Sequence, residues 1–230
     1  MRPRLGWLKT LGLAAALFVA PLAYADPVQM VLTGVGNGTT ASTTIGGVYI
    51  GPYDSNFGLV VCADFFIEAQ LNHPWKANVS QSGGDISATR QASLVGAGSA
   101  QKLYNQAAYL VEELMLAYSA NNRTAQRQLS FAVWGVFNSS VFDVMTNAVD
   151  KAAAMAFRNA ALAYENVASP SLVIYSPVGM TVGNASTLPP QEFLAIRTPE
   201  GSASILWGLH LLVGIGLLVF FRRGREQISV

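Results

Sequence analysis

The chain is poor in the residues that usually carry chemistry. It has one cysteine, Cys62, and two histidines, His73 and His210, in 230 residues. A single cysteine excludes an internal disulfide, so stability must come from the core. A zinc site takes three or four ligands, and the middle of the chain offers one cysteine and one histidine; no metal and no cofactor are expected. Asp54 and Asn56 have the i, i+2 spacing of a calcium loop but lack the acidic partners that follow, and read as turn residues. There is no phosphate loop, dinucleotide fingerprint or nucleophile elbow. Glu112 and Glu113 are adjacent, so on a helix they point about 100° apart and cannot work as a facing pair of carboxylates.

Charge is scarce as well, at 12% of residues. Of 14 Lys+Arg and 13 Asp+Glu, six basic residues (Arg2, Arg4, Lys9, Arg222, Arg223, Arg225) and Glu226 lie at the two ends. The part between holds 8 basic and 12 acidic residues, a net of −4. With no basic run, nucleic-acid binding is not indicated. No internal repeat is visible.

What the chain does have is an apolar segment near each end. Arg2, Arg4 and Lys9 precede an apolar stretch over 11–22, and Ala23-Tyr24-Ala25 fits the small-x-small cleavage rule. Residues 1–25 therefore read as a signal peptide, cleaved at Ala23 and Ala25 to leave a chain starting at Asp26. This implies the Sec export machinery and signal peptidase as partners. Arg2 and Arg4 are not adjacent, so a twin-arginine signal is unsupported. At the other end, residues 205–221 are an apolar run, followed by Arg222, Arg223 and Arg225. At about 1.5 Å per residue a helix of this length just spans a bilayer core. The arginines mark a stop on the cytoplasmic side. The lipid bilayer is thus a further expected partner.

Pro199-Glu200-Gly201, one apolar helix and an arginine cluster, in that order over 198–230, resemble the PEP-CTERM sorting tail of Gram-negative bacteria. In that family a Pro-Glu-Pro motif is handled by an exosortase; here Gly201 stands where the second proline usually is. The resemblance implies an exosortase-like sorting protease as a partner. It also implies a location at the inner membrane or, after processing, at the cell surface or in an extracellular polysaccharide matrix. His210, within the apolar run, reads as a neutral residue of a lone tail helix, the alternative being a point of contact with the sorting machinery that His210→Leu would test.

The exported domain, 26–197, reads as α+β: N-terminal strands, three inserted helices and closing C-terminal strands, with one transmembrane helix behind them. Strands are expected over 28–35, 43–50 and 57–67, the last continuously apolar apart from Asp64 and so in the middle of the fold. A strand over 75–79 is expected to pair with it. Residues 82–98, rich in Ser and Gly, read as a loop. Helices follow over 100–118, with Leu103, Ala107, Leu110, Val111, Leu114 and Tyr118 on one face; over 124–137, apolar all round and so buried; and over 146–166, an alanine-rich covering helix. Strands over 171–175 and 192–196 flank a Gly/Pro/Asn-rich loop over 177–190.

Cys62 sits among Leu59-Val60-Val61 and Phe65-Phe66, which favours burial. Val61-Cys62-Ala63-Asp64-Phe65 on a strand, a helix, and then Ser130-Phe131-Ala132-Val133-Trp134 resemble the order seen in many PEP-CTERM proteins. The order is also similar to the thioester domains of Gram-positive surface adhesins. There a strand cysteine and the glutamine of a Gln-x-Ala-Ile-Trp motif form an internal thioester that captures amines. Cys62 matches the cysteine and Ala132-Val133-Trp134 match Ala-Ile-Trp, but Ser130 stands at the glutamine, and a hydroxyl cannot supply the acyl group. Gln126 and Gln128 are near but off register. The leading expectation is a non-enzymatic surface or matrix protein with a structural or adhesive role. The alternatives are a thioester-type covalent adhesin using Cys62 as a reactive thiol, and a cysteine hydrolase pairing Cys62 with His73.

Overall fold

The computed structural model describes residues 27–36, 44–45, 48–179 and 191–197. The signal residues Ala23 and Ala25, the motif Pro199, Glu200 and Gly201, His210, the run 205–221, and Arg222, Arg223 and Arg225 lie outside the described residues. Among the described residues no helix is long and apolar enough to cross a membrane.

In chain order the elements are β1 (Val28–Met30), β2 (Leu32–Val35), β3 (Thr44–Ile45), β4 (Val48–Tyr49), β5 (Tyr53–Ser55), β6 (Gly58–Cys62) and β7 (Trp75–Gln81). Then come α1 (Arg90–Val95), α2 (Ala97–Ser119), α3 (Arg123–Phe137), a 3-10 segment (Ser139–Val144), α4 (Ala148–Ala161) and a second 3-10 turn (Leu162–Tyr164). Strands β8 (Leu172–Pro177) and β9 (Phe193–Ile196) close the domain. The fold is α+β, with the helices inserted between early and late strands, as the sequence implies.

Seven strands form one antiparallel sheet in the order β1-β7-β8-β9-β6-β5-β2. Its two edges, β1 and β2, are separated in the chain by Val31 alone. One short segment thus feeds both edges, and the sheet curls into a near-barrel that leaves little open edge. Asn56, in the turn between β5 and β6, stitches this seam. Its side chain accepts from Val31 N (2.9 Å) and donates to Gln29 O (2.9 Å), while its own N–H donates to Val31 O (3.2 Å).

The central strands are buried on both faces. Val60 and Cys62 of β6, Val173 and Tyr175 of β8, and Phe193 and Ala195 of β9 face one core. Val61, Ala63, Leu172, Ile174 and Leu194 face the other. A strand covered on both sides needs no polar alternation, which is why 57–67 reads as one apolar run. Helix α3 lies between the two cores: Phe131 and Trp134 pack into the first, and Leu129, Ala132, Val133 and Val136 into the second. Its all-round apolar character has that cause. Helix α2 buries Ala107, Leu110, Val111 and Leu114 as its spacing predicts, together with Tyr104. Leu103 and Tyr118 are only partly buried. Helix α4 buries just Asp150, Ala154 and Ala161, and so covers rather than fills.

Five expectations are corrected. The strand over 28–35 is two strands on opposite edges, and the stretch over 43–50 is a separate two-stranded pair, β3 with β4. The central strand stops at Cys62 rather than 67. β7 pairs with β1 and β8, not with β6. The expected loop over 82–98 contains α1 and the start of α2. Thr89 caps α1, its hydroxyl accepting from Ala92 N at 3.2 Å. Gly96, at φ +81, separates the two helices.

Candidate functional site

Cys62 and Phe193 are register partners in the β6–β9 ladder, and Ala63 N extends that ladder to Glu192 O at 2.9 Å. Antiparallel pairing therefore brings the end of β6 against the residues that lead into β9. The consequence is that Cys62 and Gln191, 129 positions apart, meet inside the protein: the Cys62 sulfur contacts Gln191 Oε1. Both residues are buried, at 3% and 4% exposed. The sulfur also lies 2.7 Å from Asp64 O, to which the thiol can donate, and 3.3 Å from Asp64 N, which donates to it. Burial pushes the Cys62 thiol well above its ordinary range, with hydrogen bonding from Trp134 and the charge of Arg90 acting the other way.

Trp134 of α3 holds this strand end, its indole N–H donating to Cys62 O at 2.9 Å. Phe65 packs against Trp134 and Phe131, at ring-centroid distances of 5.2 and 5.7 Å. Ala132-Val133-Trp134 is therefore more than a stretch of core: its tryptophan orients the backbone that carries the cysteine.

On the other side of Gln191 is a charged network. Glu192 is 1% exposed; it accepts from Tyr104 OH (2.7 Å) and Arg90 N (2.9 Å), and from Ser176 Oγ. Arg90 pairs in turn with Asp64. Burial raises the Glu192 carboxyl pKa, against hydrogen bonds from Ser176, Tyr104 and Arg90 and the charge of Arg90. The network ties α1, α2, β8 and both strand ends together, which fixes Cys62 and Gln191 relative to each other.

Gln191 also lines a cleft of about 170 Å³, with Ala69, Gln70, His73, Pro74, Trp75 and Phe193. His73 is exposed and its Nδ1 lies 3.2 Å from Leu71 O. It shares this cleft with Gln191 and is not a hydrogen-bond partner of the Cys62 sulfur. The structure thus gives Cys62 an amide neighbour where a cysteine–histidine pair had been one expectation.

Ser130, which aligns with the glutamine of the adhesin motif, is not at this site. Its hydroxyl accepts from Gly51 N (2.8 Å) and donates to Gln126 O (2.8 Å). This ties α3 to a turn where Gly51 sits at φ +90. Gln126 and Gln128 are also engaged elsewhere, donating to Ala117 O and Asp150 Oδ1. Sequence reasoning missed Gln191, Glu192, Arg90 and Tyr104. The one signal was a polar Gln-Glu pair immediately ahead of a buried apolar strand. Among the described residues no three or more His, Cys, Asp or Glu side chains gather as a metal site. Asn56 is a turn residue at the seam, whereas Asp54, expected in a turn, lies in strand β5. Compared with known proteins, the chain matches no family model and no curated sequence.

Proposed function

We propose that this is an exported surface protein whose domain carries an internal thioester between Cys62 and Gln191, and that it attaches covalently to primary amines. One observation carries the reading: the Cys62 sulfur lies against the Gln191 carboxamide in a buried site held by Trp134 and Glu192. In forming the bond, the sulfur attacks Gln191 Cδ, the C–N bond breaks, and the amide nitrogen leaves with the thiol proton as ammonia. In use, an amine nitrogen attacks the same carbon and the C–S bond breaks. The products are an amide on residue 191 and a free Cys62 thiol. The group is spent once, so the role is adhesive rather than enzymatic.

Burial suits this chemistry. A thioester in water hydrolyses, whereas one enclosed by Trp134, Phe65 and Phe193 is shielded until an amine reaches it. The resemblance of the 198–230 tail to a PEP-CTERM signal supports export and sorting to the surface or matrix, where an amine-bearing partner would be met. The expectation of a purely structural surface protein gives way here to the adhesive reading, because a structural domain has no need of a cysteine on a carboxamide. Intact mass tests it. The purified domain should be lighter than its plain chain by one ammonia, and Cys62→Ala or Gln191→Ala should restore the full mass. Full mass with an alkylatable thiol in the native protein overturns the reading.

A further inference from the structure

We propose that the cleft beside Gln191 receives an alkylamine side chain and that His73 is the general base that activates it. This rests on the Cys62–Gln191 thioester. An ammonium has no lone pair, so an amine that opens a thioester must give up a proton before or during attack. While the thioester is intact the Cys62 sulfur is acylated and buried, so it is not the base. Gln191 lines this cleft beside His73, and no Asp, Glu, Lys or Arg lines it. Of its lining side chains only His73 carries a ring nitrogen whose lone pair can accept a proton.

The histidine is set up for this task. Leu71 O, 3.2 Å from Nδ1, can accept a hydrogen bond from Nδ1–H in the tautomer that leaves the Nε2 lone pair free. The loop that carries it is pinned to the barrel seam. Asn72 N donates to Leu32 O at 2.8 Å, and Asn72 holds a left-handed φ of 61°. Leu71 bridges to Leu32 as well. The base therefore stands on a fixed backbone rather than a free loop.

The walls match the substrate. Ala69, Pro74, Trp75 and Phe193 are apolar, and the Trp75 and Phe193 rings pack at 5.7 Å. Such walls take the methylene stem of a lysine-like chain and leave its nitrogen at the polar end, between His73 and Gln191. The step balances. The amine nitrogen bonds to Gln191 Cδ, His73 Nε2 accepts one proton from it, the C–S bond breaks, and that proton is returned to the departing sulfur.

The test uses the full exported domain and two nucleophiles. Thioester content is read by intact mass in the native protein and in His73→Ala, and opening is then timed with methylamine and with hydroxylamine. Methylamine is mostly protonated at neutral pH and needs a base, whereas hydroxylamine is already neutral. His73→Ala should keep the mass deficit and open with methylamine about a hundredfold more slowly, within the usual range for loss of a general base. Hydroxylamine should open both proteins at similar rates, and added imidazole should restore part of the methylamine rate. Equal methylamine rates overturn the role of His73 and leave the thioester standing. Loss of the mass deficit in His73→Ala alone also overturns it, since His73 would then act in forming the bond. Full mass in the native protein overturns the thioester and this inference together.

Discussion

Trp134 donates its indole N–H to the carbonyl of Cys62 at 2.9 Å, across 72 positions of chain. The bond links the third helix to the end of the central strand, where the sulfur meets Gln191. Trp134→Phe should leave that buried carbonyl unpaired and open a small void, costing about 1–3 kcal/mol. Chemical denaturation checks the loss. The fraction of molecules lighter by one ammonia should fall in the same variant, because the strand end is no longer held.

Gln191 and Ser130 make opposite predictions. Gln191→Ala should abolish the mass deficit, because no other carboxamide contacts the Cys62 sulfur among the described residues. Ser130→Ala should leave the deficit intact and cost about 1–2 kcal/mol, since it removes the acceptor of the Gly51 N–H. Mass spectrometry and unfolding on the two variants separate the chemical position from the structural one.

Glu192 sets a pH dependence whose sign follows from its raised pKa. The ordinary value is 4.5, and burial lifts it in the folded protein. The group is then fully compatible with folding below pH 4.5, and stability falls as pH rises through the raised value, where the buried carboxyl must ionise. Glu192→Gln should flatten this part of the profile. It should also lower stability overall, because an amide cannot accept from Tyr104, Ser176 and Arg90 N at once. Unfolding free energy measured against pH for both proteins shows either effect.

Gly135 has no room for a side chain. A Cβ there would sit 2.6 Å from Phe142 Cε2 and closer still to Cζ. Gly135→Ala should force the ring or α3 to move and cost about 1–3 kcal/mol by overpacking, despite the better helix propensity of alanine. A lowered Tm would confirm it, and an unchanged or raised Tm would show that the Phe142 ring swings freely.

Much of the architecture was legible in the sequence because local pattern and burial coincide. The run ending at Val60-Val61-Cys62 is apolar because both faces of β6 are covered. Phe131-Ala132-Val133-Trp134 is apolar all round because α3 separates two cores. The covering role of α4 follows from its alanines. Other features had no local signature. β1 and β2 look like one strand, since only the curl of the sheet sends them to opposite edges. Arg90 sits in a stretch that reads as loop, and its place is set by Asp64 and Glu192.

By itself the sequence determined the alternation of strands and helices, the single cysteine on a buried strand, and the apolar, basic-flanked ends. These depend on residue type and spacing over a few turns of chain. Only the tertiary structure decided which glutamine faces that cysteine. Ser130 holds the expected motif position, yet the pairing of β6 with β9 puts Gln191 there instead. The physical reason is register: an antiparallel ladder fixes which residues oppose each other across 129 positions, and no pattern within either segment encodes that distance.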